Sequence, residues 1–201
     1  MPSGAKIEKK YENPIDNFFV HNLCEPVSHT LNKLNVTPNI ITTLGFISSL
    51  LGSYFLYNFI FYYFMPLYTF AYYCDCLDGY MARKYELSSN FGDYYDHFTD
   101  ITQIIIFSYV IIYRYNILEH RKLILICVIM FVLLIITQGC QEKIMDKKNN
   151  SAILSSYKNM CPDSFKKQIK YLRIFGAATT NFFFMFVAYY LWAIKMKKIK
   201  F

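Results

Sequence analysis

Charge is scarce in this chain. Asp, Glu, Lys and Arg make up 17% of its 201 residues, and none occurs between Asn39 and Cys74. That absence excludes an ordinary soluble domain, whose surface needs charge. There is no internal repeat and no low-complexity linker. The first 38 residues are polar and mixed, so no cleavable leader is expected. The six cysteines (Cys24, Cys74, Cys76, Cys127, Cys140 and Cys161) show no zinc spacing. Cys74 and Cys76 form a C-x-C pair, whose thiols leave a helix on different faces. Most of the cysteines lie in or beside apolar segments, where a reduced thiol behaves as a small apolar group. No disulfide framework is expected. The spacing and terminal Glu of an EF-hand loop are also missing, which excludes calcium binding of that kind.

What is present is apolar: hydrophobic residues are 55% and the mean hydropathy is +0.22. The uncharged stretch 39–74 would be about 54 Å long as one helix, against a hydrocarbon core of about 30 Å. It must fold back, and the turn is expected near Gly52 to Asn58. The sequence therefore predicts spans over 39–57, 59–83, 92–113, 122–140 and 174–194, an all-α polytopic membrane helix bundle. Ser151 to Cys161 is too short and too polar for a sixth. Before the first span, Ile15, Phe18, Phe19, Leu23, Val27, Leu31 and Leu34 recur at three- and four-residue steps. This predicts an amphipathic surface helix, opened by Asn13-Pro14 and bent at Pro26. Residues 1–38 thus form a cytoplasmic N-terminus, and 39–201 the membrane domain.

The net charge is +7, and its distribution gives the orientation. Lys6, Lys9 and Lys10 precede the first span, Arg83 and Lys84 follow the second, and seven lysines from Lys143 to Lys170 lie between the fourth and fifth. All fall on one side, which the positive-inside rule makes cytoplasmic. Arg114, Arg121, Lys122 and the C-terminal lysines run against it. Basic residues placed this way attract anionic lipid headgroups, and nucleic acid is not an expected partner.

The chemistry is concentrated between Asp75 and Asp100. The pattern is Asp75-x-x-Asp78-Gly79-x-x-Ala82-Arg83, eight residues, then Gly92-x-x-x-Asp96-x-x-x-Asp100. Helical arithmetic puts each half on one face, with small residues beside the acids. The polar stretch Lys84 to Asn90 reads as a short junction, so two helices joined there can face each other. Four carboxylates with one matched cation, Arg83, repel strongly, and a divalent cation with oxygen ligands, Mg²⁺ or Mn²⁺, relieves them. Two ions fit four acids.

This stretch resembles, at eight fixed positions, the signature of the class-I CDP-alcohol phosphatidyltransferase family. Thr37-Pro38-Asn39-Ile40-Ile41-Thr42 is similar to that family's entry into its first span. The resemblance implies a six-helix bundle, a homodimer, and transfer of a substituted phosphoryl group from a CDP-linked donor to an alcohol with release of CMP. It implies that Asp75, Asp78, Asp96 and Asp100 bind metal and that Asp100 is also the proton acceptor. Arg83 would pair with a donor phosphate. Asn39, Ile40, Ile41, Thr42, Gly79, Ser89 and Gly92 would line the donor site. Asp93 and His97 lie beside the motif. Asp93 is read as a rim acid and His97 as an interface histidine, with a secondary role for each left open.

Two acceptor classes stand. Members that use CDP-diacylglycerol take inositol, glycerol phosphate or serine, and the short chain resembles these. Members that use CDP-choline or CDP-ethanolamine take diacylglycerol, and the Asp96-His97 pair is similar to theirs. The basic residue common after the last Asp in inositol- and glycerophosphate-type members is replaced by Ile101. Outside the enzyme class, an inactive lipid-binding scaffold and a carboxylate-lined transporter are the competing readings.

Overall fold

The computed structural model describes residues 4–144, 158–161 and 168–199. Five long helices account for most of it: α3 (Pro38–Tyr57), α4 (Phe61–Lys84), α5 (Asn90–Tyr115), α6 (Arg121–Ile144) and α8 (Ala177–Ile199). Shorter ones, α1 (Pro14–Phe18), α2 (Glu25–Lys33) and α7 (Ile169–Leu172), flank them. The five coincide with the five predicted spans. Three stretches are apolar enough by composition alone to cross a membrane: Pro38–Tyr57, Arg121–Ile144 and Ile169–Lys198. Helices α4 and α5 are as long, but carry the acids and many tyrosines. Most of Ser151–Cys161 lies outside the described residues.

Local signals set the boundaries. Pro38 opens α3, where a missing N–H is harmless. Ser89 caps α5, its Oγ accepting from the Gly92 N–H at 3.0 Å. Asn116, in the left-handed region at φ 53°, ends α5. The turn between α3 and α4 falls at Asn58 to Ile60, so Gly52 lies inside α3 rather than in a turn. There it lets α4 approach, a Cβ at this position meeting Leu67 Cβ at 3.4 Å.

The N-terminal helix differs from expectation in its facing. It is broken by a π-helical turn over Phe19–Cys24, just before Pro26. The extra residue rotates the helix after it. Phe19, Val20, Cys24 and Ser28 are buried, while Phe18, Leu23, Val27 and Leu34 are exposed. One predicted apolar stripe is therefore split, part against the protein and part facing outward. Asn13 fixes this helix to the bundle. It is fully buried, and its Nδ2 donates to the carbonyls of Arg173 and Ile174 and to Thr179 Oγ1 at 2.9–3.0 Å. Its Oδ1 accepts from the Ile15 N–H at 2.8 Å.

Packing divides by depth. One core joins the ends of α3, α5 and α8 to the start of α4 through Leu56, Phe64, Phe107, Ile111 and Leu191. A second joins the N-terminal helix and the start of α3 to the end of α4 through Val20, Cys24, Ile41, Cys74 and Leu77. At the first end Tyr62, Tyr63 and Tyr113 are exposed, as aromatic side chains are at a membrane interface. Helix α6 exposes Leu125, Ile126, Val128, Ile129, Phe131 and Val132, a face suited to lipid rather than water. Cys140 at its far end is bonded to Cys161, where reduced cysteines were expected. The pairing depends on how the chain returns after α6, which no local pattern encodes.

Candidate active site between α3, α4 and α5

The site lies where the C-terminal half of α4 meets the N-terminal halves of α3 and α5. Gly45 makes this possible: a Cβ on it would lie 2.8 Å from Cys74 Cβ and 3.3 Å from the Ala71 carbonyl oxygen. The two helix backbones therefore touch one turn from the acids. The five-residue junction Tyr85 to Ser89, with Glu86 at φ 56°, reverses the chain so that α5 returns beside α3.

This folding brings the predicted acids together. One carboxylate oxygen each from Asp75, Asp78 and Asp96 falls within a 4.8 Å group. Asp100 joins them in lining a cavity of about 10 Å³, together with Thr42, Gly45, Phe46, Ala71, Thr99 and Gln103. That is room for about one water-sized occupant. Every side-chain ligand is an oxygen, the donor set preferred by Mg²⁺ and Mn²⁺. The acid-lined cavity therefore fits a divalent cation. Thr42 Oγ1 donates to Asp78 Oδ2 and fixes its orientation.

The remaining predicted residues are distributed unequally. Asn39 and Ser89 converge on Gly92, where a Cβ would stand 3.2 Å from Asn39 Oδ1 and 3.1 Å from Ser89 Oγ. Ile41 is buried in the second core and Ile40 is exposed, so neither side chain lines the acid cavity. Arg83 folds back over Gly79, its Nη1 3.1 Å from where a Cβ would be, and its Nε donates to the Gly4 carbonyl at 2.9 Å. His97 Nδ1 is 2.8 Å from the Asp93 carbonyl oxygen and 3.7 Å from Asp93 Oδ1. Thr99 and Gln103 were not singled out in the sequence. Each lies three residues after a motif acid, and that spacing is the signal that could have found them.

Two further carboxyls stand beside the site on the N-terminal segment. Burial, reinforced by the Asp16 charge and opposed by Arg83, Lys6 and Lys9, pushes Glu12 up to about 7. Burial likewise pushes Asp16 up to about 6 against the Tyr72 hydroxyl that bonds it. Both bind a proton more tightly in the folded than in the unfolded chain, whose ordinary values are 4.5 and 3.8. Their stabilisation is therefore complete below the unfolded values and is lost as pH rises through about 6 to about 7. The thermal midpoint in detergent is expected to fall between about pH 5 and about pH 8. Glu12→Gln should flatten the upper part of that fall, and a wild-type midpoint level across the range contradicts this.

A family model described as CDP-alcohol phosphatidyltransferase matches residues 35–199. The chain belongs to the CDP-alcohol phosphatidyltransferase family. It is thus an integral membrane protein of a phosphotransferase family, and the acid cluster lies inside the matched region. An uncharacterized protein from Aquifex aeolicus (strain VF5) is 36% identical over 84 residues, 41% of this chain and 42% of that protein. The chain spans less than half the length of this curated relative. No solved structure matches.

Proposed function

We propose that this family member transfers a phosphatidyl group from CDP-diacylglycerol to an alcohol and releases CMP. The observation that carries the proposal is the convergence of Asp75, Asp78 and Asp96 within 4.8 Å, with Asp100 lining the same cavity. In this reading Asp75, Asp78, Asp96 and Asp100 hold one or two divalent cations. A cation bound there supplies positive charge opposite the donor's pyrophosphate. Asp100 takes the proton of the acceptor hydroxyl as its oxygen bonds to the donor phosphorus. The bond from that phosphorus to the CMP oxygen breaks, and CMP departs. Arg83 pairs with a donor phosphate, and the nucleotide displaces its guanidinium from above Gly79. Asn39, Thr42, Ser89 and Gly92 border the donor. The active site faces the cytoplasm, following the Lys and Arg distribution, residues 1–38 lie along that surface, and the protein acts as a homodimer.

The test is CMP release by the purified protein in detergent and lipid with Mg²⁺ or Mn²⁺. The substrates are CDP-diacylglycerol with a panel of alcohols, then CDP-choline or CDP-ethanolamine with diacylglycerol. Release with one pair, abolished by chelation and restored by added metal, is expected. Release only with diacylglycerol as acceptor would replace the proposed donor. A folded protein that releases CMP with none of the pairs would sink the transferase reading.

A further inference from the structure

The end of the bundle opposite the acids holds a second ordered charge, built on the turn from α3 to α4. Three carbonyls at or beside that turn each accept from a side chain of another helix. Tyr115 Oη on α5 donates to the Leu56 carbonyl at 2.7 Å. Arg114 Nε, also on α5, donates to the Tyr57 carbonyl at 3.0 Å. Trp192 Nε1 on α8 donates to the Phe59 carbonyl at 2.8 Å. Phe59 itself stands at φ 63°, a conformation costly for a bulky residue and kept only where its surroundings impose it.

This arrangement fixes the Arg114 guanidinium. Its Cζ lies 4.5 Å from the Tyr57 ring centroid and 4.4 Å from that of Phe59, so a backbone bond and two ring faces hold the group. The negative end of α3 accounts for the Nε bond. It does not account for the rest of the fork. Among the described residues, neither Nη is bonded to an acceptor, and no carboxylate lies within ion-pair distance of Arg114. Glu119, the next acid along the chain, is 3.5 Å from Asn116 Nδ2 instead. Arg114 also runs against the positive-inside distribution, so its charge needs an anion from outside the chain. The exposed tyrosines Tyr62, Tyr63 and Tyr113 surround this end, at the level where a bilayer presents its headgroups. A planar guanidinium with free, preorganised donors matches a phosphate.

We propose that Arg114 binds the phosphate of an anionic phospholipid headgroup, in the leaflet opposite the acid cluster, with Tyr57 and Phe59 as the platform that holds its guanidinium. A free phosphate ion has the same binding chemistry. The position among interfacial tyrosines favours the lipid, and the two sources are separated below.

Trp192 is the single tryptophan of the chain and is bonded to this turn, so its fluorescence reports on this end alone. The experiment is quenching of Trp192 by lipids with brominated acyl chains, with the full chain in nanodiscs of mixed phosphatidylglycerol and phosphatidylcholine. Bromine is carried by one lipid and then by the other. Wild type is expected to prefer phosphatidylglycerol next to Trp192 by about fivefold. Arg114→Gln, which keeps a donor for the Tyr57 carbonyl and removes the charge, should abolish the preference. Arg114→Lys keeps the charge without the fork and should fall between the two. Lys122→Met removes an exposed charge at the same end and should leave the preference in place. Excess inorganic phosphate at constant ionic strength should also leave it in place. No preference in wild type, an equal preference in Arg114→Gln, or an equal loss in Lys122→Met overturns the proposal. A preference erased by inorganic phosphate assigns the site to the free ion and overturns the lipid. Should Arg114→Gln fail to fold, an unchanged preference in Arg114→Lys overturns the role of the guanidinium. The readout uses no donor and no metal, so it stands or falls apart from the transferase reading.

Discussion

Replacing Asp100 by Asn is expected to lower the rate of CMP release by at least about 10²-fold, the range of a lost general base, with the fold intact. Asp100 lies one helical turn beyond Asp96 and lines the cavity that Asp75 and Asp78 also line. Asn has the same shape and keeps an oxygen for a weak ligand contact, but it cannot take the proton that the proposed reaction gives to Asp100. Because the variant also removes one of four like charges, its thermal midpoint should equal or exceed that of wild type. Asp93→Asn is the matched control, since Asp93 bonds locally to His97 and lies outside the cavity lining. It should retain activity within about threefold. A fully active Asp100→Asn protein would remove Asp100 from the chemistry.

The second large effect is expected at Gly45. Its missing Cβ allows α3 and α4 to touch, with Cys74 Cβ 2.8 Å and the Ala71 carbonyl 3.3 Å from where one would be. Backbone and Cβ atoms cannot step aside, so Gly45→Leu must separate the helices. Overpacking of this kind destabilises by about 1–3 kcal/mol or more. The separation also pulls Thr42, one turn earlier, away from Asp78. Melting in detergent and CMP release should fall together. Gly79→Ala provides the contrast, because the group nearest its new Cβ is the mobile end of Arg83 at 3.1 Å. That variant should melt close to wild type. A Gly45→Leu protein with wild-type melting would show that the α3–α4 contact has slack that the structure does not display.

The half that carries the acids was legible because its signals are local. Uncharged runs, Pro38, the capping Ser89 and the polar junction after Arg83 place α3, α4 and α5 within a few residues, and helical spacing then aligns the acids. What escaped depends on distance. The facing of the N-terminal helix turns on a single π-turn, which rotates Leu23 and Val27 outward and Val20 and Cys24 inward. The Asn13 bonds to Arg173 and Ile174, the Lys6–Glu142 pair and the Cys140–Cys161 bond each join residues far apart in sequence. They follow from how the N-terminal segment, the end of α6 and the stretch before α8 are brought together. Periodicity reads one helix at a time and carries no such information.

The exposed tyrosines at the far end also work as a depth gauge. Asp75 lies thirteen positions after Tyr62 on α4, and Tyr113 thirteen positions after Asp100 on α5. Two antiparallel helices thus give the same distance, about 20 Å. If the aromatic band marks one edge of a hydrocarbon layer about 30 Å thick, the acids lie about 10 Å below the opposite edge. A lipid phosphate normally floats above that level. In the proposed reaction, a lipid-linked donor must sink toward the acids or the leaflet must dip around them. A thicker bilayer makes either movement harder, so the acyl-chain length of the surrounding lipid becomes a variable in the rate.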